Sequence, residues 1–277
     1  MKASLYIVST PIGNLNDISL RAIETLKTVD YIACEDTRLS QRLLNHFQIG
    51  TKLLSYHEFS DDTVADKLLS MVENGRNIAL ISDAGTPLIS DPGYRLVNEA
   101  VSRDIQVIPI PGSCAFVAAL SVSGLPSDRF SFEGFLPSKA GARQKTLERL
   151  KKAPQTLIFY EAPHRIIHCL KDMVDVFGGG REAVLARELT KTFETIKKFP
   201  LSELLAWVSS DANQQKGEMV ILLKGYQVPE VESLNQEQEK LAKLLLEELP
   251  PKTVSKILSS HLGIPKKIVY QAILNLS

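Results

Sequence analysis

A chain of 277 residues has room for roughly two domains at ~150 residues each, and for a core that needs no disulfide or metal staple. Its 44% apolar and 23% charged residues are those of a globular protein, which excludes a fibrous or largely disordered chain. Lys+Arg and Asp+Glu stand at 32 each, so blanket electrostatic attraction to nucleic acid is excluded, and an anionic partner must meet a local basic patch.

Short runs rich in Val and Ile alternate with helical patterns from the start. Leu5–Val8, Val29–Cys34, Leu53–Tyr56, Asn77–Ile81 and Gln106–Ile110 read as strands. Between them, Leu39, Leu43, Leu44 and Phe47 recur at helical spacing, as do Val64, Leu68, Leu69 and Val72 behind the candidate caps Asp61 and Asp62, with Gly75 as a stop. This β-α-β-α rhythm with almost unbroken apolar strands predicts a parallel sheet covered on both faces. Beyond Gly124-Leu125-Pro126 the texture changes. Phe130–Leu136, Thr156–Ala162, Ala183–Glu188, Thr192–Phe199 and Gly217–Leu223 read as strands of a second, mixed sheet, with helices around 143–152, 163–177 and 202–208. Tyr226–Gln236 is polar and aperiodic and reads as a linker. Three amphipathic segments follow, anchored by Leu241/Leu244/Leu245, Val254/Ile257/Leu258 and Ile268/Ala272/Ile273/Leu276. The expected organisation is two α/β domains, 1–122 with a mostly parallel sheet and 123–226 with a mixed one, plus a small helical extension at 237–277.

Cys34, Cys114 and Cys169 are odd in number and widely spaced, which reads as reduced thiols serving as small apolar groups. No run approaches the ~18 apolar residues of a membrane span, and polarity returns too early for a signal peptide. A cytoplasmic protein without membrane contact is expected.

Among motifs, the phosphate-binding P-loop, the dinucleotide G-x-G-x-x-G, H-E-x-x-H and G-x-S-x-G are all absent. The strongest local signal is Ser82-Asp83-Ala84-Gly85-Thr86-Pro87, then Leu88-Ile89 and Ser90-Asp91-Pro92-Gly93, after the Asn77–Ile81 strand. Open α/β sheets bind ligands at that edge. Gly85 clears the backbone for a close approach, Pro87 stiffens the turn, and Asp91 is expected to cap a helix that has Pro92 at its first position. Two further loops, Ser9–Leu15 and Pro109–Ser113, follow strands of the same sheet and would line one crevice with it. Glu161, His164, His168 and Cys169 sketch a metal site but lack an obvious third ligand, so no metal is read there.

Thr10-Pro-Ile-Gly-Asn-Leu15, Glu35-Asp-Thr-Arg38, Ser82–Pro87, Gly134-Phe-Leu-Pro137, Ile158-Phe-Tyr-Glu-Ala-Pro-His-Arg165, Ala186-Arg-Glu-Leu-Thr-Lys191 and Lys216-Gly-Glu218 occur in this order. Together they resemble the small-subunit ribosomal RNA ribose 2′-O-methyltransferases, in the tetrapyrrole-methylase-like (class III) group of S-adenosylmethionine-dependent enzymes. The resemblance spans about residues 4 to 225, and a family-like helical tail follows. It implies S-adenosyl-L-methionine in a cleft between the two domains, with a cytidine of 16S rRNA in the small ribosomal subunit as substrate and a homodimer as the assembly. Carried over by motif, Pro11, Asp83, Ala84, Gly85, Leu88, Ile89 and Ser90 line one side of that cleft. Ser113 and Ala115 continue it, and Tyr160, Ala186, Gly217 and Glu218 close it from the second domain. Cys114 is read as an apolar filler. The implied candidates for catalysis are Glu161 and Lys191 as bases, with Arg187 orienting RNA.

Arg38 at the start of a helix reads as a phosphate contact. The segment Ser138–Lys152 supplies the required basic patch through Lys139, Arg143, Lys145, Arg149, Lys151 and Lys152, opposed only by Glu148. The segments 253–261 and 266–276 bracket Gly263 at helix-turn-helix-like spacing, suited to RNA, to a partner subunit or to covering the catalytic domains. Two other functions stay open at this level: methylation of a small tetrapyrrole precursor, and a non-catalytic RNA-binding assembly factor.

Overall fold

The computed structural model describes residues 2–57, 62–227 and 234–276. Met1–Tyr226 form one compact unit holding two five-stranded sheets, and Gln227–Ser277 form a second.

The first sheet is built from β1 (Ser4–Val8), β2 (Tyr31–Cys34), β3 (Lys52–Ser55), β4 (Ile78–Leu80) and β5 (Gln106–Ile110), in the order β3-β2-β4-β1-β5. Every pairing is parallel. Side chains alternate across a strand, so Leu5, Ile78 and Leu80 face α3 (Asp62–Glu73) and α4 (Tyr94–Ser102). Val8, Ala79 and Ile81 face α1 (Leu20–Thr28) and α2 (Thr37–His46) on the other side. Burial on both faces is why these strands carry so few polar residues. The expected cap Asp61 lies outside the described residues.

Strand order places a switch point at the adjacent pair β1 and β4. From β1 the chain crosses over β4 to reach β2, whereas from β4 it crosses over β1 to reach β5. The loops after these two strands leave in opposite directions, opening a crevice at their carboxyl ends.

After α5 (Ala115–Val122) come β6 (Phe130–Phe135), α6 (Ala140–Leu150), β7 (Thr156–Glu161), α7 (Ile166–Phe177), β8 (Glu182–Arg187), β9 (Thr195–Pro200), α8 (Leu201–Ser210) and β10 (Met219–Leu223). The second sheet has the order β6-β7-β10-β8-β9 and is mixed: β6 and β7 run parallel, and the remaining pairs are antiparallel. Leu157, Phe159, Leu185 and Ile221 pack under α6, α7 and α8. Ile158, Val184, Ala186 and Val220 on the opposite face pack against α5 and Ile12, which belong to the first sheet's connections. One apolar layer thereby fixes the two sheets to each other.

The second unit is a three-helix cluster of α9 (Gln236–Glu248), α10 (Pro251–Leu262) and α11 (Lys266–Leu276) around Leu234, Ala242, Val254, Leu258, Ile264, Val269 and Ile273. Asn235 and Gln238 form a capping box at the start of α9. Gly263 ends α10 in the left-handed conformation, at φ 67°. Of the expected anchors of α9 only Leu245 packs inward, while Leu241 and Leu244 are exposed. The leucine run offers two helical faces, and the helix buries the one bearing Ala242, Leu245, Leu246 and Leu249. Of the expected linker, residues 228–233 lie outside the described residues. Among the described residues no helix is long and apolar enough to cross a membrane.

Candidate active site

A cleft of about 410 Å3 opens at the switch point, between the loops of the first sheet and the ends of β7, β8 and β10. Its volume falls within the ~300–1,000 Å3 typical of small-molecule and cofactor sites.

Three loops build the first wall and are tied to one another. Thr10 and Gly85 exchange both backbone hydrogen bonds, at 2.8 and 3.1 Å, joining the loops after β1 and β4. The Thr86 hydroxyl donates to the Ser113 carbonyl at 2.9 Å and accepts from the Ser9 hydroxyl, also at 2.9 Å, which adds the loop after β5. The amide of Asp36 donates to Asp83 Oδ1 at 3.2 Å, drawing in the loop after β2. Leu88 and Ser90 hold φ of 74° and 61°, unusual for side-chain-bearing residues, and Gly93 holds 132°. Strained backbone of this kind collects where a ligand site over-determines the chain.

The expectation that Asp91 caps the next helix is corrected by this geometry. The positive φ at Ser90 and Gly93 turns the chain, α4 begins at Tyr94 with Gly93 as its N-cap, and the Asp91 side chain lines the cleft instead. Gly93 has no room for a Cβ, which would lie 2.9 Å from Leu80 Cδ2. Burial, with added repulsion from Glu35 and Asp83, pushes the Asp91 carboxyl up to about 6, even though a hydrogen bond with the Ser82 side chain favours the ionised form.

The opposite wall comes from the second sheet. Tyr160 on β7 meets Phe135 edge-on at 5.6 Å and Phe132 at 4.8 Å, and its hydroxyl accepts the Phe116 amide at 3.2 Å. Burial pushes the Tyr160 phenol well above its ordinary range, so it stays neutral. At one end Lys191 Nζ bridges Glu188 at 2.9 Å and Glu218 at 3.0 Å. Glu188 Oε1 also accepts the Glu218 amide at 3.0 Å. Glu188 folds over Gly217, where any Cβ would strike it. Gly13 sits against the stem of Lys191, with its missing Cβ only 2.5 Å from Cγ, so the loop after β1 seals against this latch.

Of the expected cofactor residues, Asp83, Ala84, Gly85, Ile89 and Ser90 line the cleft, together with Ala115, Tyr160, Ala186 and Glu218. Pro11, Leu88, Ser113 and Gly217 stand behind the lining. Pro11 is buried beside the Thr10 bridge, Leu88 packs where a Gly93 side chain would stand, Ser113 anchors Thr86, and Gly217 underlies Glu188. Residues not anticipated include Ile12, Asp91, Phe135, Leu189 and Val220. Ile12, Phe135 and Leu189 lie inside the quoted motifs, and that was the available signal. Cys114 lines the cleft, with a thiol that burial raises, whereas Cys34 and Cys169 are core groups.

The three catalytic candidates, Glu161, Lys191 and Arg187, are each held by neighbouring groups of the chain. The Lys191 ammonium, though burial alone would lower its pKa, is held above its ordinary value by Glu188 and Glu218. Arg187 is buried, donating to the carbonyls of Lys216 and Phe193 at 3.2 and 3.0 Å, and so braces the loop after β8. Glu161 does line the cleft, but it accepts the Ala162 amide at 2.8 Å and pairs with Arg165 at 3.0 Å. Arg143 is also removed from the basic patch. It is 4% exposed, its Nε lies 2.6 Å from Asp172 Oδ2, and it donates to the Ser138 carbonyl. Lys139 and Lys145 remain exposed, as do Arg149 and Lys152. Arg38 projects to solvent beside Asp36, at 3.2 Å.

Among the described residues, the charged side chains lining the cleft are Asp83, Asp91, Glu161 and Glu218, all acidic. With Glu161 paired to Arg165 and Glu218 to Lys191, Asp83 and Asp91 are the carboxylates that suit a ligand carrying a positive centre against an apolar wall.

Comparison with known proteins agrees with this geometry. The profile of the tetrapyrrole (corrin/porphyrin) methylases matches residues 4–205. That of the RsmI C-terminal HTH domain matches 232–277. A solved cobalt precorrin-4 methyltransferase superposes with a TM-score of 0.61 over 80% of this chain and 94% of its own, at 15% identity, a likeness of fold alone. The profile match over residues 4–205 places the chain, with this fold, in the tetrapyrrole-methylase class. Curated relatives are closer. Ribosomal RNA small subunit methyltransferase I of Pseudomonas aeruginosa is 54% identical over 97% of this chain and 95% of its own. Its counterpart in Escherichia coli O157:H7 is 49% identical over 98% and 94%. The chain belongs to the ribosomal RNA small subunit methyltransferase I family.

Proposed function

We propose that this protein transfers the methyl group of S-adenosylmethionine to the ribose 2′-hydroxyl of a cytidine in the decoding region of 16S rRNA, acting in the cytoplasm as a homodimer. The observation that carries the reading is the acid-lined cleft at the switch point. A sulfonium donor bears a positive centre and no phosphate, so it suits Asp83 and Asp91 where a nucleoside phosphate would not. The names of the close relatives support ribosomal RNA of the small subunit as substrate.

When bound, the donor supplies an electrophilic methyl carbon on sulfur. Asp83 and Asp91 would offset its charge, Ile12, Ile89 and Leu189 would supply an apolar lining, and Tyr160 with Phe135 would wall the slot against water. Aligning a hydroxyl oxygen with the methyl is worth up to ~7–11 kcal/mol in intramolecular reactions, so positioning by these walls is the main contribution. Glu161, fixed by Arg165 and the Ala162 amide, shapes the substrate end of the cleft. The Lys191 latch holds Glu188 and Glu218 in place. Arg38 and the exposed Lys139, Lys145 and Arg149 receive RNA phosphates.

The test is tritiated methyl transfer to unmodified 30S particles, followed by mapping of the label. Label on a single ribose of 16S rRNA is the expected result. Label on a base refutes the 2′-hydroxyl assignment. Absence of transfer, with a tetrapyrrole precursor methylated instead, replaces the RNA reading altogether. Sedimentation of the pure protein tests the homodimer.

A further inference from the structure

The helical unit carries its charges unevenly. Residues 251–276, which hold α10, the turn at Gly263-Ile264-Pro265 and α11, contain no aspartate or glutamate. Glu237, Glu239, Glu247 and Glu248 all lie on α9. The segment's cations, Lys252 and Lys256 on α10 and Lys266 and Lys267 on α11, are all exposed. None of the four ammonium groups is engaged by a carboxylate among the described residues. Some lysines of the larger unit are paired, Lys191 with Glu188 and Glu218, and Lys198 and Lys224 with Glu182, but there cations and carboxylates are interspersed, whereas 251–276 holds cations alone.

Folding does not account for this arrangement. The cluster is held by Val254, Leu258, Val269 and Ile273, and unpaired like charges on two adjacent helices only repel one another. The outward face of α11 repeats at helical spacing through Lys266, Lys267, Tyr270 and Gln271. It is the second helix of a pair joined by a short turn and backed by a third helix, the arrangement in which helix-turn-helix proteins present their contact helix. The chain as a whole is neutral, so a surface bearing only cations is complementary to an anionic polymer. Lysine is a point charge suited to phosphate and offers no bidentate fork for reading a base.

We propose that the α10–α11 face is a second RNA-binding surface, which grips the phosphate backbone of the substrate RNA without reading its sequence and contributes affinity, not chemistry. This rests on the RNA reading of the function proposed above.

The test uses the full chain with Lys252→Gln, Lys256→Gln, Lys266→Gln and Lys267→Gln combined, and a control with Lys240→Gln and Lys243→Gln on α9. Binding to a 16S rRNA fragment is followed across a salt series, with donor affinity by calorimetry and kcat and KM on 30S particles. The quadruple variant is expected to bind RNA roughly tenfold more weakly. Its salt slope should be shallower by about 3, at ~0.7–0.9 per lost phosphate contact. KM should rise, with kcat and donor affinity as in the wild type. Unchanged RNA affinity and slope overturn the proposal, as does an equal loss in the α9 control, which would reflect net charge alone. Loss of self-association with RNA binding intact makes the face a protein interface and overturns it too. A wild-type chain that binds this RNA but transfers no methyl overturns the proposed activity, while the binding measurements still decide this surface.

Discussion

Asp91 shows how one side chain links fold, stability and ligand. Its pKa is raised by burial and by Glu35 and Asp83, so the protonated form is the one that favours folding. That contribution is full below the ordinary carboxylate range near ~4 and is lost as pH rises through about 6. At neutral pH the ionised Asp91 therefore destabilises the empty protein, and a cation in the cleft relieves it. Asp91→Asn is expected to raise Tm above pH 6 and to weaken binding of the sulfonium donor roughly ten- to a hundredfold, the scale of a charge-assisted contact worth ~1.5–3 kcal/mol. Wild-type donor affinity should fall as pH drops through about 6, and the variant should lack that step; calorimetry at several pH values reads both. Arg143 makes the opposite kind of case. Arg143→Ala strands a buried Asp172 and is expected to cost about 3–5 kcal/mol in urea unfolding. A loss of RNA affinity with stability intact would contradict that assignment.

Among the elements, the loops after β1, β4 and β8 act together. Gly13 lets the first loop close on the stem of Lys191, and the Thr10–Gly85 bridge joins it to the second. Gly13→Val places a branched Cβ 2.5 Å from Lys191 Cγ and 2.9 Å from Thr190 Oγ1, too close for either to stay, so the latch must open. The strands and helices beneath are untouched. Donor affinity is therefore expected to fall at least roughly tenfold, for an interaction loss of ~1.4 kcal/mol or more, while the unfolding midpoint moves little. Equal donor binding in this variant would show that the latch does not shape the site.

For the whole molecule, the two units differ in the core each can bury. The larger has apolar layers on both faces of both sheets. The helical unit rests on a single small cluster and lies near the size at which a domain is marginal alone. Amide hydrogen exchange is expected to be fastest in α9–α11 and slowest in β1, β7 and β10, with a gap of several kcal/mol in opening free energy. Uniform protection across the chain would mean that the helical unit unfolds only with the rest.

The sequence by itself determined the two-sheet alternation, because strands buried on both faces must be apolar throughout. It also marked the crevice, since Gly85 and Pro87 follow the carboxyl end of a parallel strand. The strands were legible at Gln106–Ile110 and within a few residues elsewhere. Which charges face a ligand was decided only by tertiary structure. Asp91 reads locally as a cap until two positive φ angles turn it inward, and Arg143 reads as a surface cation until α7 brings Asp172 against it. Lys191 gains its second carboxylate from Glu218, the residue before β10. The ion-pair partners Asp172 and Glu218 are distant in the chain. A pKa or an ion pair is a property of neighbours in space, which periodicity and spacing along one strand of sequence do not encode.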